Sequence, residues 1–189
     1  CKGGKMKIAD CGPLIQLVNL HGENLIGMEV GVFRGESLLA FLMNCENIKE
    51  MHGVDSWEEY YDYLGSLDGR PVGGANACGS EINKAITEIS LKHCDYANKA
   101  ILHHMDSNKC AETFDDEYFD FIFVDVSMTD EQVNNDLNVW YPKVKKGGLF
   151  TGHDWDYIPL QESVHQFRET HNVKTRPSTY SNCFAWVKD

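Results

Sequence analysis

Four acidic residues, Glu29, Asp55, Asp106 and Asp125, each stand at or near the end of an apolar run, and two glycines follow the first in the spacing Glu29-x-Gly31-x-x-x-Gly35. Glycine at a strand-to-helix crossing permits a tight turn and close backbone approach, and a helix opening at Glu36 presents unpaired N–H groups to a polar ligand. The spacing is not the G-x-G-x-x-G that cradles a dinucleotide pyrophosphate, and Glu29 would repel that anion. A carboxylate at this point suits an ammonium group, such as that of an amino acid. Asp55 follows where an acidic side chain would meet a ribose diol. Asp106-Ser107 and Asp125 close the next two runs. Alone, the first loop reads as an ordinary turn with Arg34 solvated; four successive acid-tipped strands point to one shared site.

The elements that must position these residues alternate. A leading helix carries Ile8, Leu14, Leu17 and Val18, is interrupted by Gly12-Pro13 and ends near His21-Gly22. Then come a buried strand "LIGMEV", a helix "ESLLAFLMNC", a strand "MHGVD", a long loop, and a helix "SEINKAITEISLKH" with Ile82, Ile86 and Ile89 on one face. A strand "AILHHMD", a short helix around Lys109 to Phe114 and the β-rich "FDFIFVDV" follow. The helix "TDEQVNNDLNVW" starts on a capping-box pattern, Thr129 with Gln132, and shares a face among Val133, Leu137 and Trp140. After the strand "GGLFTGHD", the helix "PLQESVHQFRETH" turns Leu160, Val164, Phe167 and His171 inward. "VKTR" and "NCFAWVKD" leave no room for a crossover helix and should pair as an antiparallel hairpin. The expected architecture is a doubly wound, Rossmann-like α/β fold. Its seven-stranded sheet is mostly parallel with an antiparallel C-terminal strand, in a single domain over residues 1–189 with an N-terminal helical extension at about 6–22.

Composition narrows the partners. The 189 residues, 42% hydrophobic and 24% charged, contain no apolar run long enough to span a membrane. A formal charge of −12 opposes a nucleic-acid backbone and favours a small-molecule partner. The Lys-rich start "CKGGKMK" reads as a frayed terminus. Seven cysteines without a CxxC pair argue for a reducing, cytoplasmic setting, and self-association is left open. His103, His104 and Cys110 lack a paired ligand set for zinc, and His52, His93, His165 and His171 read as packed or surface side chains. The loop from Ser56 to Gly79 carries Trp57, Tyr60, Tyr61 and Tyr63 and is long enough to serve as a lid or binding loop.

"GMEVGVFRGES", "HGVDSW", "HHMDS" and the block "FDFIFVDVSMTDEQVNNDLNVWYPKVKKGGLFTGHDW" together resemble class I S-adenosylmethionine-dependent methyltransferases, most of all the small-molecule O-methyltransferase branch that includes macrocin and catechol O-methyltransferases. The resemblance runs from about Leu25 to Lys188. It implies S-adenosyl-L-methionine as cofactor and O-methylation of a small hydroxylated molecule. Glu29, Gly31 and Gly35 would serve the cofactor's amino-acid half, Asp55 its ribose hydroxyls, Asp106 and Ser107 would lie near its adenine, and Asp125 near its sulfonium end, with Arg34, Ser37 and Ser56 also among the cofactor-binding residues. It further implies catalytic roles for Asp125, His153 and Asp154, with Asp125 and Asp154 holding magnesium or manganese in metal-dependent relatives. His153 suits a softer metal or proton transfer. Relatives often carry D-G-D-H-x-Y-E after the fourth strand; here Asp125-Val126-Ser127-Met128-Thr129-Asp130-Glu131 lacks the second Asp, the His and the Tyr. Two alternatives stay open: a catalytically inactive cofactor-binding or interaction domain, and an NAD-dependent oxidoreductase, which would call for a third loop glycine and a parallel last strand.

Overall fold

The computed structural model describes residues 8–58, 80–125 and 130–189. The order is α1 (Ile8–His21), β1 (Leu25–Val30), α2 (Glu36–Asn44), β2 (Ile48–Asp55), α3 (Ser80–His93), β3 (Ala100–His104), α4 (Ser107–Ala111), β4 (Phe119–Val124), α5 (Asp130–Trp140), a 3-10 turn (Tyr141–Lys143), β5 (Val144–Gly152), α6 (Ile158–Thr170), β6 (Ser178–Tyr180) and β7 (Cys183–Val187). The strands form one sheet in the order β3-β2-β1-β4-β5-β7-β6, and β7 runs against both its neighbours. This is the expected seven-stranded, doubly wound sheet.

The inner strands are apolar on both faces because both are covered. On one side Leu14, Val18, Leu38, Phe41 and Leu91 from α1, α2 and α3 pack on Phe121 and Phe123. On the other, Cys110, Val133, Leu137, Trp140, Val164 and Phe167 from α4, α5 and α6 pack on Met28, Ile122 and Phe150. Strand order reverses between β1 and β4, which opens a crevice beyond their carboxyl ends.

Several expectations change. α1 runs through Gly12-Pro13 as one helix. Pro13 forfeits a single intrahelical bond, and burial of Cys11, Leu14, Ile15 and Val18 outweighs that loss. α4 begins earlier, at Ser107, because the Asp106 carboxylate caps it by accepting from the Lys109 N–H at 3.1 Å. On α3 the isoleucine stripe faces outward, with Ile82, Ile86 and Ile89 55%, 36% and 68% exposed, and the helix buries Asn83, Thr87 and Leu91 instead. His171 caps the end of α6 in the open, bonded to Asn138. The closing hairpin exists, but its first strand is Ser178–Tyr180 rather than "VKTR". Lys174 N–H and the Thr175 hydroxyl donate to the Asp189 carboxylate, so this segment bonds a side chain in place of a strand. The Lys-rich start, Tyr60, Tyr61, Tyr63 and the Thr129–Gln132 capping box lie outside the residues whose side chains are described.

Candidate active site

Parallel register puts the acid-bearing ends side by side. Val30 pairs with Val54 and Val124, Val124 with Gly152, and Asp55 with His104, so Gly31, Asp55, Asp125 and His153 fall in adjoining rows at one edge of the sheet. The ladders run one step further: Gly31 N–H donates to Val54 O at 2.9 Å, Asp125 N–H to Val30 O at 2.8 Å, and His153 N–H to Val124 O at 3.0 Å. Three residues far apart in sequence, Gly31, Asp125 and His153, are thereby held by backbone bonds.

The loop after β1 departs from helical and extended geometry three times. Gly31, Phe33 and Gly35 have φ of 91°, 51° and 73°. Glycine adopts this region freely, whereas Phe33 does so only because its surroundings hold it. Its N–H donates to Asp55 Oδ2 at 2.7 Å, and its carbonyl accepts from Trp57 Nε1 at 2.8 Å and Thr87 Oγ1 at 3.3 Å. Gly35 has no room for a side chain, since a Cβ would come within 2.7 Å of Thr87 Cγ2. Asp55 also accepts from Trp57 N–H at 2.7 Å, so each of its oxygens anchors a loop while retaining a second lone pair. Arg34 reaches α3, its Nε donating to Asn83 Oδ1 at 2.8 Å.

Glu29 is the most confined acid of the group. It is fully buried beneath the loop, the Ser37 hydroxyl donates to Oε1, and Oε2 has no hydrogen-bond partner. Burial pushes its pKa well above the usual carboxylate range, and Asp125 and Asp55 add to the shift. An orphaned buried carboxylate oxygen fits an ammonium ligand, which would supply both the missing donor and the missing charge.

At the β4 and β5 ends His153 Nδ1 lies 3.0 Å from Asp154 Oδ1 and 3.6 Å from Asp125 Oδ1. One donor atom from each of the three lies within 4.8 Å of the others. The bond to Asp154 raises His153 to about 9, with Asp125 also contributing against the effect of burial. Burial raises Asp125 to about 6 although the His153 charge opposes this. At neutral pH the imidazole is therefore a cation between two carboxylates. Beside the triad, Val124, Val133, Leu137, Leu160 and Phe184 line an apolar recess.

Other expected residues also make structural contacts. Asp106 is the α4 cap, and the Ser107 hydroxyl accepts from Trp140 Nε1 at 2.8 Å and donates to buried Asp136 at 2.9 Å, so it is committed to holding α4 on α5. Ser56 accepts from Glu58 N–H at 3.3 Å. Among the described residues His103, His104 and Cys110 form no ligand set: His103 bonds His52 at 2.9 Å and Cys110 is buried on the inner face of α4. Asp136, buried with its Oδ2 unpartnered, escaped the sequence reading because an Asp inside an amphipathic helix looks like surface.

A doubly wound sheet whose acid-tipped strands meet at a β1/β4 switch point, with one reversed strand next to the edge, defines a Rossmann-like architecture. The chain belongs to the family described as methyltransferase domain, whose model matches residues 28–155 and thus spans the first loop, all four acid-bearing strand ends and the His153–Asp154 pair. No curated protein matches the sequence. Among solved structures, the O-methyltransferase NovP superposes with a TM-score of 0.70 at 16% identity over 98% of this chain and 80% of its own. A candidate caffeoyl-CoA O-methyltransferase from Staphylococcus aureus gives 0.68 at 13% over 100% and 86%. A precorrin 8w decarboxylase from Methanobacterium thermoautotrophicum gives 0.63 at 14% over 97% and 89%. At these identities the likeness is one of fold.

Proposed function

We propose that the protein transfers a methyl group from S-adenosylmethionine to a hydroxyl of a small molecule. The observation that carries this reading is Glu29, a buried carboxylate with one unpartnered oxygen at the switch point of a methyltransferase-family sheet. It would bind the ammonium of the donor's amino-acid half, with the Gly31–Gly35 loop closing over that half and Asp55 using its remaining lone pairs on the ribose diol. Asp106 would contribute to the adenine subsite from the start of α4, and Ser107 would shape it through the backbone. The donor supplies a sulfonium-activated methyl group.

Methyl transfer to oxygen is an in-line displacement, so the protein's tasks are alignment and ionisation of the acceptor hydroxyl. Asp125, His153 and Asp154 would carry out the second task. Two carboxylates and an imidazole within 4.8 Å fit a divalent cation that accepts nitrogen as well as oxygen, manganese before magnesium. Such an ion supplies positive charge that favours the ionised acceptor. His153 would have to lose its proton to serve either as a ligand or as a base, and Asp154 holds it in place for both. The apolar recess would receive an apolar edge of the acceptor, and the chain's net charge favours a small molecule over a nucleic acid. We further take residues 1–189 as one domain.

The test is direct. Calorimetry with S-adenosylhomocysteine should show binding to one site, and a panel of phenols and aliphatic alcohols should yield a methylated product by mass spectrometry. Binding without turnover of any acceptor would instead favour a cofactor-binding domain, and binding of NAD in its place would overturn the assignment.

A further inference from the structure

The two-residue turn between β6 and β7 reaches the site from the far edge of the sheet. Asn182 Nδ2 donates to Asp154 Oδ1 at 3.1 Å, Asn182 Oδ1 accepts from Asp156 N–H at 2.8 Å, and the Asn182 carbonyl accepts from Trp155 N–H at 3.0 Å. Three hydrogen bonds thus bind one turn residue to three consecutive residues of the segment after β5. Asp154 has φ 59°, a left-handed conformation that Asp tolerates better than most residues and that the three bonds to Asn182 help to fix. The amide has only one sensible orientation here: reversed, it would set its oxygen against the Asp154 carboxylate and its NH₂ against the Asp156 N–H.

We propose that Asn182 is a positioning residue for the methyl-transfer site: its amide holds Asp154 Oδ1 against His153 Nδ1 and so sets the imidazole facing Asp125. The inference rests on the function proposed above for this triad. Asp154 Oδ1 takes two donors, the imidazole at 3.0 Å and the amide at 3.1 Å. A neutral amide adds this constraint without adding charge. The hairpin therefore does more than close the sheet; its turn is part of the support of the site.

Asn182→Asp and Asn182→Ala separate this role from a merely structural one. Aspartate is isosteric, suits the turn and keeps the oxygen that accepts from Asp156, but confronts Asp154 with an acceptor. Crystal structures of the S-adenosylhomocysteine complexes should show the Asp154 carboxylate rotated off His153 in the Asp variant, with the hairpin unmoved. S-adenosylhomocysteine affinity should stay within about twofold of the parent, while kcat on any acceptor the parent methylates falls at least about tenfold. An Asp154 that keeps its contact with His153 in both variants, or a kcat equal to the parent's, overturns the proposal. So does a loss of activity matched by equal losses of cofactor affinity and melting temperature. If the parent itself binds no S-adenosylhomocysteine, the methyltransferase reading fails, and the Asp154 geometry in crystals of the free protein still decides the role of Asn182.

Discussion

At Glu29 stability and binding pull in opposite directions. A buried, half-satisfied carboxylate destabilises the empty fold, so Glu29→Gln, which keeps the shape and the acceptor for Ser37, should leave the melting temperature at pH 8 equal or higher. The same change removes the charge that an ammonium group would meet and should weaken S-adenosylhomocysteine by about tenfold or more, read by calorimetry. A second residue-scale prediction concerns His153. Its folded pKa of about 9 lies above the unfolded value near 6.5, so its contribution is fully present below about pH 6.5 and is lost as pH rises through 9. The shift corresponds to about 3 kcal/mol. Melting temperature of the free protein should decline across that window, and His153→Gln should flatten the decline. Because a ligating imidazole must first lose its proton, Mn²⁺ affinity should rise over the same window. A pH-independent Mn²⁺ affinity would remove His153 from the ligand set.

The junction of the β1 loop with α3 is the element on which the cofactor loop depends. Thr87 is wholly buried, bonds the Phe33 carbonyl, and sits where a Gly35 side chain would have to go. Gly35→Ala combines an unfavourable φ with that clash and should cost about 2–4 kcal/mol of stability by chemical denaturation. Adding Thr87→Ser removes the clashing Cγ2 and should recover part of the loss, leaving the backbone term. On the outer face of the same helix, Ile89→Lys should change stability by no more than about 0.5 kcal/mol, since that side chain is already in water. Asp55 links the same loop to β2. Asp55→Ala should therefore weaken S-adenosylhomocysteine by about tenfold or more, through both the ribose contact and the loosened Phe33 and Trp57 anchors, while the sheet itself stays folded.

For the whole molecule, the ligand that fits should be visible as stabilisation. S-adenosylhomocysteine at about 100 times its Kd should add about 2.7 kcal/mol, a rise of roughly 5–10 °C in melting temperature for a chain of this size, and NAD should add nothing. With the ligand present, Mn²⁺ should raise the transition further, and a chelator should reverse that increment and abolish methyl transfer. A chelator-resistant enzyme would leave His153 as the base, with activity increasing toward pH 9. No helix among the described residues is long and apolar enough to cross a membrane.

Periodicity was legible because burial and backbone pairing write it locally. The strand "LIGMEV" and the helix "SEINKAITEISLKH" coincide with β1 and α3, and an acid after each of four apolar runs became one edge of a parallel sheet because register permits only a few alignments. What the chain could not announce depended on neighbours distant in sequence. Which face of α3 is buried was decided by the Phe33 carbonyl and Arg34, which recruit Thr87 and Asn83 inward and leave the isoleucines out. α1 tolerates Pro13 because its apolar side chains have a core to enter. That Asp106 also caps α4 and that the Ser107 hydroxyl bonds Asp136, 29 residues on, is written in no local pattern. Asn182 meets Asp154 across 28 residues, through the pairing of β7 with β5, which carries no local pattern. Residue types and their periods are properties of short segments; partners of side chains are set by how the segments pack, and so only the tertiary structure could assign them.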